Sequence, residues 1–320
     1  MDDFKHKKQG KIDYSIIIPV YCNQEELRKT YQAIMTMVVE YNPSRSYEII
    51  FIDDGSVDSS FENMMELKKL NPQNVKIIKF TRNFGQVSAI RAGVEHSRGR
   101  CVVNISADLQ DPPDLINNML EYHFKDGVEI VVCKRDSREE SFFRRKTSKL
   151  FYKIMNKLSF PNMPEGGFDF FLIGSKVKEA LIKSKEMNPF LQGQILWTGY
   201  PVKFIPYQRK KRETGSSKWT FGMKIKYLID GVMAYSYVPL RFMTVLGMII
   251  SGLGFLYACV IFFTKIFGGI PIKGWAPIMI VVLILSGFQM LMLGVIGEYV
   301  WRTLEQVRRR DHYVIEKIYD

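Results

Sequence analysis

The chain has 320 residues, 47% of them hydrophobic, enough to bury a substantial core in one large domain or two modest ones. Its 45 lysines and arginines outnumber 33 aspartates and glutamates for a net +12, a surplus that must be solvated or set against phosphate, lipid headgroups or nucleic acid. Cys22, Cys101, Cys133 and Cys259 lack the C-x-x-C spacing of a metal or redox site and read as reduced, mostly buried hydrophobes, and the N-terminal "MDDFKHKKQGKIDY" lacks the apolar stretch of an export signal.

From Tyr14 onward, β-branched runs alternate with stretches of helical spacing. "YSIIIPV", "YEIIFID", "VKIIKF", "CVVNI" and "VEIVVC" predict strands buried on both faces. Strand, helix, strand in this rhythm implies a parallel sheet covered on both sides, with ligands bound beyond the C-terminal ends of the strands. Polar loops follow four of these runs: "PVYCNQEE", "DDGSVDSS", "TRNFGQ" and "SADLQDPPD". Any one of them could be a helix cap, because Asp, Ser, Asn and Pro serve capping. Four on one sheet edge argue for a site.

The last third differs. No charged residue occurs from Phe242 to Phe263, nor from Gly274 to Gly297, and each stretch is long enough to cross a bilayer as a helix. Lys224, Lys226, Arg241, Arg302 and Arg308 to Arg310 flank the pair, against two lysines in the connection, so the positive-inside rule puts both termini in the cytosol. Ahead of the pair, Phe221, Ile225, Leu228, Ile229, Val232 and Met233 recur at helical spacing, as in a helix lying in the membrane interface or packed on the domain.

In "SADLQDPPD", Asp108 leaves a strand end and Gln110 can point the same way, two hard oxygen ligands suited to Mg²⁺ or Mn²⁺ with water or diphosphate completing the shell. Asp111 and the prolines are expected to start the next helix.

The order "PVYCNQEE", "DDGS", "SADLQDPPD" resembles the GT-A glycosyltransferases of family 2. With "GFDFFLIGSKV", "YQRKKRETGSSKW" and the apolar hairpin, the chain from about residue 14 is similar to polyprenyl-phosphate glycosyltransferases, the bactoprenol glucosyltransferases and dolichyl-phosphate mannose synthase among them. The resemblance implies a tail at 1–13, a catalytic domain at 14–218, interfacial helices at 219–238, two transmembrane helices at 239–300 and a cytoplasmic tail at 301–320.

It further implies that Pro19, Tyr21, Glu25, Asp53, Asp54 and Arg82 bind the donor, with Arg209, Arg212 and Lys218 from the basic loop. Asp108 and Gln110 match the metal ligands, and Asp169 an acidic residue near the acceptor. Arg135 and Arg144 or Arg145, in the basic stretch after the fifth strand, are candidates to align an acceptor phosphate. Ser106 stands where the family's Asp-x-Asp has its first acid, and Phe171 where its "DFRL" motif has arginine.

The activity so implied is transfer of a hexose, glucose first, from a UDP-sugar to undecaprenyl phosphate with inversion. The enzyme would sit in the cytoplasmic membrane with its catalytic domain in the cytosol, and homo-oligomers could form through the hairpins. Rival readings are direct transfer to a membrane glycerolipid, a processive synthase, a membrane-tethered nucleic-acid binder and an inactive scaffold. "QGQILW" lacks the arginine of the processive motif and no nucleic-acid module is recognised, so no nucleic-acid partner is expected. A dehydrogenase would need G-x-G-x-x-G after the first strand, where "PVYCNQ" stands.

Overall fold

The five β-branched runs form five strands, because side chains branched at Cβ fit a pleated surface buried from both sides. They are β1 (Tyr14–Val20), β2 (Tyr47–Asp53), β3 (Val75–Phe80), β4 (Cys101–Asn104) and β5 (Ile130–Arg135). Burial along them is nearly continuous rather than alternating. Helices α1 (Leu27–Ile34, prolonged by a wider turn over Met35–Val39), α2 (Ser60–Leu70), α3 (Gln86–His96) and α4 (Leu115–Asp126) connect them. The computed structural model describes residues 12–135, 163–164, 167–184, 186, 190–208, 238–268, 274–308 and 310–320.

The five predicted strands run parallel, as expected, and two of the strands that join them run the other way, so the sheet as a whole is mixed. Three further strands join it: β6 (Phe171–Gly174), β7 (Val202–Tyr207) and β8 (Ile315–Tyr319), in the order β7-β5-β6-β4-β1-β2-β3-β8. β6 lies antiparallel between β4 and β5, and β7 runs parallel to β5. Helices α5 (Ser175–Lys183) and α6 (Leu191–Trp197) follow β6. "FLIG" is too short and too uniformly buried to announce its direction as a sequence.

β8 corrects the reading of residues 301–320 as a tail. It pairs antiparallel with β3, reinforced by Lys76 Nζ to Asp320 at 2.7 Å and Lys79 Nζ to Glu316 at 3.0 Å. Just before it, the Tyr313 ring stacks on Phe80 with centroids 5.0 Å apart, and Thr81 N donates to Val314 O at 3.1 Å.

Strand direction decides where the site can be. β1 to β5 and β7 all point one way, so their C-terminal ends share one edge. Because β6 runs the other way, the residues entering it, Asp169 and Phe170, reach that same edge. One rim of the sheet therefore gathers the loops after β1 to β4, Arg135, Asp169 and Tyr207.

Contacts divide the chain into two units, Met1–Leu228 with Arg310–Asp320, and Ile229–Arg309. The second unit holds α7 (Val238–Gly268) and α8 (Trp275–Arg308), which pack on one another where Met292 Cε stands 3.3 Å from the position a Cβ would take at Gly247. Leu240–Phe263 and Ile284–Arg308 are long and apolar enough to cross a membrane, and neither is buried by protein. The expected stretch Phe242–Phe263 falls within the first span, and Gly274–Gly297 overlaps the second from Ile284 on. The interfacial segment around 221–237 lies outside the described residues.

Candidate functional site

The rim is knitted together by backbone groups. After β1, Cys22 N donates to Ser56 Oγ at 3.1 Å and Asn23 N to Ser60 Oγ at 2.8 Å, while Asp54 N donates to Val20 O at 2.9 Å. Asp54 is 3% exposed, and its carboxylate accepts from Phe84 N at 2.7 Å and Gly85 N at 2.9 Å, fastening the loop after β3 to the loop after β2. Gly55 makes this approach feasible. With φ at +70°, it lies so close to Arg82 and Asn83 that an added Cβ would stand 2.5 Å from Arg82 C and 2.6 Å from Asn83 N.

Asp53 is buried and its Oδ1 accepts from Ser56 N at 2.9 Å, whereas Oδ2 is a buried oxygen without a protein hydrogen bond. Such an atom is costly unless something supplies a donor. Pro19 lies half-buried at the end of β1, while Tyr21, Glu25 and Arg82 stand exposed on the rim. The Arg82 guanidinium rests 4.2 Å over the Phe84 ring.

Burial raises both neighbouring carboxyls, Asp53 above the ordinary range and Asp54 up to about 6, against the lowering by their backbone donors. A carboxyl raised by folding favours the fold most when protonated. Its contribution is complete below the ordinary 3.8 and is lost as pH rises through about 6. Asp54→Asn, whose amide oxygen can still accept from Phe84 and Gly85, is therefore expected to flatten the decline in stability between about pH 4 and pH 6. Denaturant titrations across that window check this, and an unchanged slope would refute it.

The loop after β4 carries the second half of the site. Leu109 has φ at +53°, a left-handed conformation uncommon outside glycine, and Cys22 at +54° shares it on the same rim. Strain of this kind collects where a loop is shaped for a ligand. Asp108 Oδ1 accepts from Ser106 Oγ at 2.8 Å and Gln110 N at 3.3 Å, and Thr30 Oγ1 of α1 holds Ala107 O at 2.8 Å. Among the described residues no three His, Cys, Asp or Glu side chains cluster to hold an ion. Asp108 and Gln110 supply two hard oxygens, a donor set that fits a divalent cation completed by water and diphosphate.

Asp111 does not start α4. The helix begins at Leu115 after a turn built on Pro112 and Pro113, and Asp111 is instead fully buried, accepting from Ser106 Oγ at 2.8 Å and Tyr207 OH at 2.5 Å. Beside it, Arg135 Nη2 donates to Asp169 Oδ2 at 2.9 Å and Arg135 Nε to Tyr207 OH at 3.4 Å. Asn104 Nδ2 holds Asp169 O at 2.6 Å and Gln192 Nε2 holds Phe168 O at 2.6 Å. Asp169 is 44% exposed while Arg135 is 11% exposed, so the carboxylate faces solvent and the guanidinium backs it. Burial, with the Asp111 charge and hydrogen bond, pushes the Tyr207 phenol up, keeping it protonated.

Asp53, Asp54, Asp108, Gln110, Arg135 and Asp169 thus share the rim. Arg144, Arg145, Arg209, Arg212 and Lys218 lie outside the described residues. Asp111, Tyr207, Asn104 and Gln192 join the residues on the rim, and none of the four carries a local sequence signal for a site. Tyr207 opens the basic run "YQRKKRETGSSKW", but only its packing against Asp111 and Arg135 distinguishes it. Cys101 and Cys133 are buried, and burial pushes the Cys101 thiol up to about 12, consistent with inert reduced side chains.

The model of glycosyl transferase family 2 matches residues 15–181. A bactoprenol glucosyl transferase of Shigella phage SfII is 34% identical over 308 residues, 95% of this chain and 97% of that one. An uncharacterized glycosyltransferase of Bacillus subtilis (strain 168) is 37% identical over 309 residues, 96% of this chain and 94% of its own length. Among solved structures, glucosyl-3-phosphoglycerate synthase from Mycobacterium tuberculosis has a TM-score of 0.48 at 12% identity, covering 69% of this chain and 79% of that one. The family match and the relatives together define a glycosyltransferase. The chain belongs to glycosyl transferase family 2.

Proposed function

We propose that the protein transfers a hexose, glucose in the first instance, from a UDP-sugar to undecaprenyl phosphate or a similar polyprenyl phosphate at the cytosolic face of a membrane, inverting the anomeric carbon. The observation that carries this reading is the extent of the likeness to bactoprenol glucosyl transferases. It covers 95% of the chain, and two helices long and apolar enough to cross a membrane suit an enzyme whose acceptor is a lipid.

The rim suits the reaction. The second proton of a phosphate monoester leaves near pH ~6, so the attacking oxygen is largely anionic at neutral pH and needs alignment more than a general base. Arg135 and Asp169 pair at the attacking end, where Arg135 would offset the charge of that phosphate and the half-exposed Asp169 would orient sugar or acceptor. Asp53 Oδ2 offers the donor's base or ribose an acceptor. Asp108 and Gln110 would hold Mg²⁺ or Mn²⁺, which stabilises negative charge on a departing diphosphate. Attack in line with the leaving group inverts the configuration.

The test uses the full-length protein in detergent with undecaprenyl phosphate, a panel of UDP- and GDP-sugars, and Mg²⁺, Mn²⁺ or EDTA. Mass spectrometry of the lipid fraction is expected to show one polyprenyl-phosphate hexose, dependent on the ion. Transfer to diacylglycerol in place of the polyprenyl phosphate would overturn the acceptor, and nucleotide binding without any transfer would favour an inactive scaffold.

A further inference from the structure

Between the two partly exposed acids of the rim, Asp108 and Asp169, runs a chain of close polar contacts. Ser106 Oγ lies 2.8 Å from both Asp108 Oδ1 and Asp111 Oδ2, Tyr207 OH donates to Asp111 Oδ1, and Arg135 reaches Tyr207 OH with Nε and Asp169 with Nη2. Its middle is dry: Asp111 is 0% and Tyr207 6% exposed. The members come from the loop after β4, the ends of β5 and β7, and the entry to β6, four pieces of chain that meet only at this edge.

Each link constrains the next. The Ser106 hydroxyl has one proton and two carboxylates within 2.8 Å, so it donates to Asp108 or to Asp111 and its orientation is shared between them. Tyr207 uses its proton on Asp111 and its lone pair on Arg135, which leaves the guanidinium one face for Asp169. Asp111 and Tyr207, the buried pair in this chain, hold one geometry because breaking their bond strands a partner away from water.

We propose that Asp111 and Tyr207 are positioning residues which fix the Arg135–Asp169 pair relative to Asp108, so that the leaving and attacking ends of the transfer are held in register through one hydrogen-bonded unit. The inference rests on the reaction proposed above. It assigns work to two residues that touch neither substrate, and it gives Ser106 a role that the acid it replaces would not fill in the same way, since a carboxylate there would carry no proton to share.

Tyr207→Phe tests it, because the ring keeps its edge-on contact with Phe170 and only the hydroxyl goes. Phe170→Leu serves as the packing control. In the undecaprenyl phosphate assay, Tyr207→Phe is expected to lower kcat by roughly 10- to 100-fold, as misplacement of reacting groups does, with the donor KM and UDP affinity by calorimetry close to wild type and Tm lowered, because the buried Asp111 loses its donor. Phe170→Leu is expected to lower Tm with kcat within a few-fold. An unchanged kcat in Tyr207→Phe overturns the proposal, as does a fall in kcat that UDP affinity follows in both variants. If the wild-type protein makes no polyprenyl product, the acceptor assignment fails instead. UDP release from the donor into water then carries the comparison: slower release in Tyr207→Phe upholds the linkage, and equal release overturns it.

Discussion

Asp108→Ala is expected to cut sugar transfer by about 10²- to 10³-fold or more while leaving the fold intact, the scale on which removal of a charge-stabilising group acts. The side chain sits in a loop whose shape is set elsewhere: by Thr30 holding Ala107 O, by the left-handed Leu109, and by Asp111 anchored to Tyr207. Taking away the carboxylate removes a partner from Ser106 and from Gln110 N, both partly exposed to water, so the structural cost is small. Asp108→Asn separates charge from shape, since the amide oxygen can still accept from both donors. If charge matters, the asparagine variant is nearly as slow as the alanine variant while UDP-sugar binding in the absence of divalent ion matches wild type. Wild-type rates in either variant would remove Asp108 from the chemistry.

Gly55→Ala is expected to be the most damaging single methyl group on the rim. The new Cβ would meet backbone atoms of Arg82 and Asn83 at 2.5 and 2.6 Å, and backbone cannot rotate aside as a flexible side chain can. A positive φ of 70° adds the strain of a left-handed non-glycine residue. Overpacking and strain together amount to about 3 kcal/mol. Relief requires the 82–85 loop to lift, which breaks the bonds from Phe84 N and Gly85 N to Asp54. The variant should lose both thermal stability and UDP affinity. Gly85→Ala is the contrast: its φ is also positive, at +95°, yet nothing lies within 4 Å of the added Cβ, so stability falls by the conformational strain alone. Equal effects in the two variants would show that the close approach at Gly55 is unimportant.

Much of the sheet was legible because its strands are uniform. Runs such as "YSIIIPV" have one plausible fate, and loops at the ends of parallel strands share an edge by geometry. β8 was missed although "VIEKIY" carries strand-forming residues, because a short run beyond long apolar helices reads as a tail and its partner β3 is remote in the chain. The direction of β6 was illegible for a related reason: four buried residues fit either orientation, and only the ladders with β4 and β5 choose. At the site, carboxylates announced themselves by type and spacing. Asp111 and Tyr207 did not, since an aspartate before two prolines looks like a cap and a tyrosine before a basic run looks like surface. Their pairing joins residues 96 apart, which no local pattern encodes.

The lysines of β3 have a second significance during synthesis. β8 emerges from the ribosome after α7 and α8, and Lys79 lies 237 residues before its partner Glu316. Until then β3 is an open edge, with unpaired backbone groups and a β-branched surface able to recruit another nascent chain. Lys76 and Lys79 on that edge are charges that discourage such pairing. Once Asp320 and Glu316 arrive, the same two ammonium groups become ion-pair partners that seat the incoming strand. Two residues thus guard the half-made sheet and later close it, and closure waits until the apolar helices have been made.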